Sequence, residues 1–334
     1  MPDRKQRMAE RFFLATALVA FLACMPSAPA NAEDSPAVPA WVFPLNPDSP
    51  AHPTFDDIKP LHVPNSAVSY TEARLNDFFN VPDWRPTSHS TMPPIVASGR
   101  RPDVYACGFC HTAGGQGRPE NASLAGLPAA YIMTQVLDFK SGARKSAFSG
   151  SYRPADRMIH SVSYATNEEL SAAADYFAAQ SLHPRVLVTE RTRVPRSHVV
   201  GWVYAAQRKG GTEPLGQRLL EFAPDPVRHE HRDDDMRYVA YVPRGSINRG
   251  KRIAQAGMDS PANACTACHG PQLKGAGVIP PIAGRSPTYI LRQLLAFQTG
   301  ARSGATGLPM RAVTKNLVIG NMIDAAAFAA SLPP

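Results

Sequence analysis

Two stretches of the chain decide its fold: Ala106–Ile132, ACGFCHTAGGQGRPENASLAGLPAAYI, and Ala264–Ile290, ACTACHGPQLKGAGVIPPIAGRSPTYI. Each has two cysteines separated by two residues, with a histidine directly after the second. The match extends without a gap from Cys107 to Arg144, every residue having a counterpart 158 positions later. The identities include Gly117/Gly275, Ala125-Gly126/Ala283-Gly284, Tyr131-Ile132/Tyr289-Ile290, Gln135/Gln293 and Phe139/Phe297, and they end at Gly142-Ala143-Arg144 and Gly300-Ala301-Arg302. Internal repetition over this length means two copies of one domain.

Cys-x-x-Cys-His is the attachment sequence of c-type haem. Two thiols add across the two vinyl groups of one porphyrin, and the histidine that follows is held under the iron as its proximal ligand. Cys107, Cys110 and His111 would form one such site, and Cys265, Cys268 and His269 a second, giving two covalently bound haem c groups. A four-cysteine zinc site is the main competitor. Its C-x-x-C pairs usually lie about 15–20 residues apart, far closer than Cys110 and Cys265, and zinc does not call for a histidine after both pairs. A thioredoxin-like dithiol lacks its flanking helix–strand pattern here.

The local patterns are helical. LPAAYIMTQVLDFKSG and SPTYILRQLLAFQTG carry apolar residues near helical spacing and end at Gly142 and Gly300, where a C-cap is expected. TNEELSAAADYFAAQ opens with Thr166 and Glu169 in capping-box register, and NLVIGNMIDAAAFAASL is its counterpart. A short helix around 248–255 is expected before the second motif. A domain with C-x-x-C-H near its start, LAG…YI..QL..F..G.R in the middle and a closing helix resembles class I cytochrome c. Two in tandem resemble the di-haem cytochromes c. The fold expected is therefore mainly α, with cytochrome c-like domains at 101–182 and 245–334 joined by a linker at 183–244 that carries possible short strands. RVLVTERTRV, HVVGWVYAA and MRYVAYVP alternate enough for such strands. RHEHRDDDMR reads as a charged loop, with His229 and His231 solvated in it and metal binding by the pair as the alternative. Residues 33–100 form a proline-rich extension, the chain holding 33 prolines in all, with one helix expected in SYTEARLNDFFN; it covers the first haem, binds a partner, or is a packed arm.

The resemblance implies one low-spin haem per domain with histidine and methionine as axial ligands, and electron transfer as the function. In that family the distal methionine lies in a loop before the last helix. Met310 follows Leu308-Pro309 in such a place, and Met158 has the matching place in the first copy, with His160 as the alternative ligand there. Met133 and Met322 lie inside helices and read as core; Met92, Met236 and Met258 fall outside the loop. A thioether favours ferrous iron, and two filled axial positions favour outer-sphere electron transfer over catalysis. The family's proximal histidine donates its N–H to a backbone carbonyl near a proline. Pro280-Pro281 suit this; the first copy departs, having Asn121-Ala122-Ser123. Arg144 and Arg302 are candidates for the haem propionates. Tyr131, Tyr289, Gln135 and Gln293 are candidates for the haem edge, or for ordinary packing.

The first 32 residues read as a secretory leader: Arg4, Lys5, Arg7 and Arg11, then the apolar run Phe12–Cys24, then a small-residue cleavage site at Ala30–Ala32. Cleavage there removes Cys24, the one cysteine outside the motifs, so nothing is left for structural disulfides; an uncleaved anchor or lipid attachment at Cys24 is a minor alternative. The formal charge of +8 becomes +6 once the leader's four basic and two acidic residues leave. Dispersed basic residues and export argue against nucleic acid. The expectation is a periplasmic electron carrier, with membrane association as the alternative but no span of its own after cleavage. It would serve an oxidase, reductase or dehydrogenase and would not itself be an enzyme. The alternatives are a di-haem peroxidase, which needs one exchangeable axial position, and the electron-transfer subunit of a periplasmic dehydrogenase.

Overall fold

A computed structural model describes residues 38–47, 53–258, 260 and 263–334. The leader, with Cys24 and the cleavage site, lies outside them. Three short helices precede or open the first repeat: α1 (Glu72–Asn76), α2 (Pro94–Ala97) and the motif helix α3 (Cys107–His111). The repeat continues with α4 (Ala129–Ser141), α5 (Arg153–Tyr164) and α6 (Asn167–Ala178). Gly142 ends α4 in the left-handed region (φ 77°) that glycine adopts without a Cβ penalty. The capping box expected at α6 is formed: Glu169 N donates to Thr166 Oγ1 (3.2 Å), and Thr166 N donates to Glu169 Oε2 (2.8 Å).

The segment between the repeats is more than a connection with short strands. It holds β1 (Val186–Glu190), β2 (Arg193–Pro195), β3 (Ser197–Val200), β4 (Val203–Ala206), β5 (Thr212–Pro214), β6 (Leu220–Phe222), α7 (Pro226–Glu230) and β7 (Tyr238–Val242). Five of these strands make one sheet in the order β1-β7-β6-β4-β3, and β2 pairs with β5 in a separate ribbon. Neighbours in the sheet are parallel at β1/β7 and β4/β6 and antiparallel at β6/β7 and β3/β4. The alternation in β7 is that of a half-buried strand: Tyr238, Ala240 and Val242 face inward while Val239 and Tyr241 do not. The expectation of a mainly α chain is thus amended to two helical repeats with a β insertion between them.

The second repeat comprises α8 (Ser246–Ala256), the motif helix α9 (Cys265–His269), α10 (Pro287–Gln298), α11 (Leu308–Thr314) and α12 (Ile319–Ser331). Helices α8 and α12 cross at Gly250, where a Cβ would lie 1.9 Å from the Asp324 carbonyl oxygen. Beside that crossing, Arg249 makes a two-pronged pair with the Asp324 carboxylate (2.6 and 2.9 Å).

The extension packs on both repeats. Val42 and Phe43 belong to the core of the second, with Leu291, Met322 and Ile323, and Arg292 Nε donates to the Val42 carbonyl (2.8 Å). Farther along, Val81 and Phe78 pack against Phe109 of the first motif, and the Trp84 indole donates to the His231 carbonyl (2.8 Å).

Candidate haem-binding site

On one helical turn, cysteines three residues apart share a face, with the next residue a position beyond. That is the arrangement in α3 and α9. All four thiols are free of disulfides, and all four line a single cavity of about 670 Å³ together with His111 and His269. The walls are mostly apolar: Leu127, Val136 and Phe177 on the first side, Leu273, Ile290 and Leu294 on the second. Burial pushes the Cys107 thiol up to about 12, with neighbouring Cys110 adding to it.

The two histidines are held identically. His111 Nδ1 lies 2.8 Å from the Ala122 carbonyl oxygen, and His269 Nδ1 lies 2.8 Å from that of Pro280. Ala122 and Pro280 are counterparts in the repeat. The departure in the first copy therefore costs nothing: the acceptor is a main-chain carbonyl, and its side chain is immaterial. With Nδ1–H donating to a carbonyl, the Nε2 lone pair is left for a metal. Burial lowers the pKa of both imidazoles, favouring the neutral ligating form. Gly117 and Gly275 make this loop possible. Both have positive φ (66° and 79°), both donate N–H to the motif histidine's carbonyl (2.9 and 2.8 Å), and a Cβ on either would come within 2.5 Å of a backbone oxygen.

Met158 and Met310 also line the cavity. Both differ from the loop expectation: Met158 lies in the middle of α5, and Met310 in α11, whose first turn carries Pro309. His160 has other company. Its Nε2 is 3.2 Å from Asp103 Oδ1, its ring stacks on Tyr105 at 5.5 Å, and it is not among the cavity-lining residues. Of the other methionines, Met322 and Met236 are fully buried in packing clusters, Met133 and Met92 pack against the first core, and Met258 lies at the cavity rim, partly exposed.

The residues proposed for the haem edge meet in a two-fold knot between the repeats. Lys145 N donates to the Ala301 carbonyl (2.8 Å) and Ser303 N to that of Ala143 (2.7 Å), an antiparallel bridge centred on Arg144 and Arg302. Arg144 donates to Gln135 of its own repeat (2.9 Å) and to Gln293 (2.8 Å) and the Tyr289 hydroxyl (2.9 Å) of the other. Arg302 mirrors it, donating to Gln293 (3.2 Å), Gln135 (2.5 Å) and Tyr131 (3.4 Å). Both guanidinium groups are buried and line the cavity, and the oxygens they reach in these bonds are amide and phenolic. Burial, followed by the charge of Arg144, lowers the pKa of Arg302. Two like charges placed together in a low-dielectric setting call for an anion.

Sequence reasoning missed Arg285, which also lines the cavity. Its guanidinium donates to the carbonyls of Pro281 (2.7 Å), Ser123 (2.6 Å) and Ala125 (3.0 Å), tying the histidine-supporting loops of the two repeats together. Its counterpart in the first copy is Leu127, so the repeat gave no signal for it. His229 was misread as solvated. It is fully buried, with Nε2 2.9 Å from the Gly201 carbonyl oxygen and Nδ1 3.0 Å from the Tyr238 hydroxyl. The signal available was Pro226 after Asp225, a helix start that turns the charged loop into α7.

No protein-family model matches the chain. It is 27% identical over 224 residues to a thiosulfate dehydrogenase electron acceptor from Thiomonas intermedia, covering 66% of this chain and 71% of that protein. It is 25% identical over 215 residues to cytochrome c4 from Azotobacter vinelandii, covering 63% and 77%. Among solved structures, the thiosulfate dehydrogenase TsdBA from Marichromatium purpuratum matches at 25% identity with a TM-score of 0.45; the match covers 69% of this chain and 37% of that longer one.

Proposed function

We propose, from the premise that the chain is an electron-transfer c-type cytochrome akin to the di-haem cytochromes c, that it is an exported carrier holding two haem c groups side by side. The observation that carries this reading is the joint lining of one cavity by both motif helices, both carbonyl-anchored histidines and one methionine from each repeat. Haem c, when bound, supplies an iron that cycles between ferrous and ferric. The chain's own residues do the rest. Cys107, Cys110, Cys265 and Cys268 would anchor the groups covalently, and His111, His269, Met158 and Met310 would supply the ligands to iron. Arg144 and Arg302 would take the propionate carboxylates, answering the need of that buried pair for an anion. The apolar walls would disfavour the extra charge of the ferric state and so raise the potential.

Two methionines in the cavity leave neither site an obvious exchangeable position, which weighs against the peroxidase alternative. The Thiomonas relative, named an electron acceptor of thiosulfate dehydrogenase, favours the dehydrogenase-partner reading: this chain accepts electrons from a periplasmic oxidoreductase and passes them on. Location in the periplasm rests on the leader sequence. Among the described residues no helix is long and apolar enough to cross a membrane.

Intact mass of the mature protein tests the proposal. Two covalent haem additions and a low-spin spectrum that peroxide leaves unchanged are expected. One addition, or a high-spin haem that turns over peroxide, overturns it.

A further inference from the structure

The two repeats align residue for residue, yet their attachment edges are opposite in exposure. In the first, every residue from His111 to Glu120 is buried. Phe109, inside the motif, packs against Phe78 of the extension with ring centroids 4.5 Å apart, and the Arg232 guanidinium lies over its ring at 3.8 Å. Arg232 in turn donates to the Leu75 carbonyl (2.7 Å), so extension and insertion close over this edge together. In the second repeat the counterparts are open. Ala267, at the place of Phe109, is exposed, as is Cys268. Val278, at the place of the buried Glu120, is 66% exposed. Met258 and Leu308 are exposed in the same repeat.

Charge divides the same way. Residues 101–182 hold seven Lys/Arg and seven Asp/Glu, net zero; residues 245–334 hold nine Lys/Arg and two Asp, net +7. Among the described residues of the second repeat the one acid is Asp324, buried and paired with Arg249. Exposed cations adjoin the cavity wall in both repeats; in the first, Lys140 follows Phe139 and Arg153 precedes Pro154, but the exposed acids Asp156, Glu168 and Asp175 offset them, whereas the second repeat has no exposed acid among its described residues. There Lys251 and Arg252 precede Ile253, Lys274 follows Leu273, and Arg311 follows Met310; each named neighbour lines the cavity.

Building on the carrier reading above, we infer that the second repeat is the chain's electron port and that its partner is a redox protein with an acidic face, the first repeat being a covered site that exchanges electrons through the second. Exposed apolar residues in a repeat whose exposed cations are not offset by exposed acids suit brief docking. The rim charges steer the encounter, while the uncharged centre permits close approach of the redox groups. The cover over Phe109, which has no equivalent over Ala267 among the described residues, argues against a symmetric pair of ports.

The test uses the purified, fully reduced holoprotein and two oxidants, hexacyanoferrate(III), an anion, and tris(phenanthroline)cobalt(III), a cation. Each takes one electron from the ferrous protein per encounter. The second-order rate with the anion is expected to fall as salt is added. The double reversal Arg252→Glu/Lys274→Glu is expected to lower it by about tenfold at low ionic strength while speeding the reaction with the cation. The matched reversal Lys140→Glu/Arg153→Glu, on exposed cations of the first repeat, is expected to leave both rates near wild type. Equal effects from the two double variants, or none from either, overturn the port assignment. Haem mass and visible spectrum recorded on the same samples report separately on the carrier reading, so loss of cofactor is distinguished from loss of steering.

Discussion

Met158 and His160 are two positions apart along α5, and that interval decides which one faces the cavity. On an α-helix a two-residue step turns the side chain by about 200°, so when one faces the cavity the other faces away. Met158 lines the cavity, whereas His160 pairs with Asp103 and stacks on Tyr105. Met158→Ala should therefore abolish one of two methionine-to-iron charge-transfer bands in the near-infrared spectrum of the oxidised protein, and His160→Ala should leave both. Loss of a band in the histidine variant, with none in the methionine variant, would assign bis-histidine ligation to the first haem. The residues proposed for the proximal half of each site were readable as candidates in the sequence, because two cysteines and a histidine on one helical turn obey a local spacing. The distal half stayed open, since the distance from motif to methionine differs between copies and only the phase of α5 separates the two candidates.

At the scale of elements, the crossing of α8 over α12 depends on one missing side chain. A Cβ on Gly250 would fall 1.9 Å from a main-chain oxygen, with the Phe328 side chain 2.8 Å away on the same side; neither helix can yield without shifting the other. Gly250→Ala should lower the stability of the holoprotein by about 1–3 kcal/mol, the usual cost of overpacking, read as a drop in denaturant midpoint at unchanged slope. An unaltered midpoint would mean the helices part more readily than this geometry allows. The long helices were legible from periodicity and caps: α6 by its Thr166/Glu169 box, α4 by its closing glycine. The sheet was legible only in part. The alternating runs gave β1, β3, β4 and β7, but β5 and β6 are three residues each, too short to show a period of two, and β6 is buried throughout. Its Glu221 is held there by the Ser286 hydroxyl, which donates to Oε2 at 2.6 Å, a contact between insertion and second repeat that no local pattern announces.

For the molecule as a whole, the insertion that covers the first repeat brings with it a joint expected to weaken in acid. His229 on α7 sits between the sheet and the first repeat's loop: its ring meets Gly201 and Tyr238, its carbonyl accepts from Arg118 (3.0 Å), and Glu120 Oε2 lies 3.9 Å from its Nε2. Burial drives its pKa down from 6.5 to about 4; the attraction of Glu120 opposes that shift and the charge of Arg118 assists it. The sign follows from proton counting. Between these two values the unfolded chain binds a proton that the folded one does not, so stability rises with pH there. The contribution is complete above about pH 6.5 and is lost as pH falls toward 4, a change on the order of 3 kcal/mol across the window. Unfolding midpoints of the holoprotein between pH 7 and 4.5 should fall accordingly. His229→Gln, which keeps a polar side chain but no titrating group, should flatten that slope even if its stability at pH 7 is lower. A wild-type slope retained in the variant would move the acid sensitivity to another group. If the joint loosens first, the cover over Phe109 should open before the second repeat unfolds. Acid should then make the net-neutral first repeat, matched in sequence to its partner yet shielded from solvent at neutral pH, reactive toward the same external oxidants.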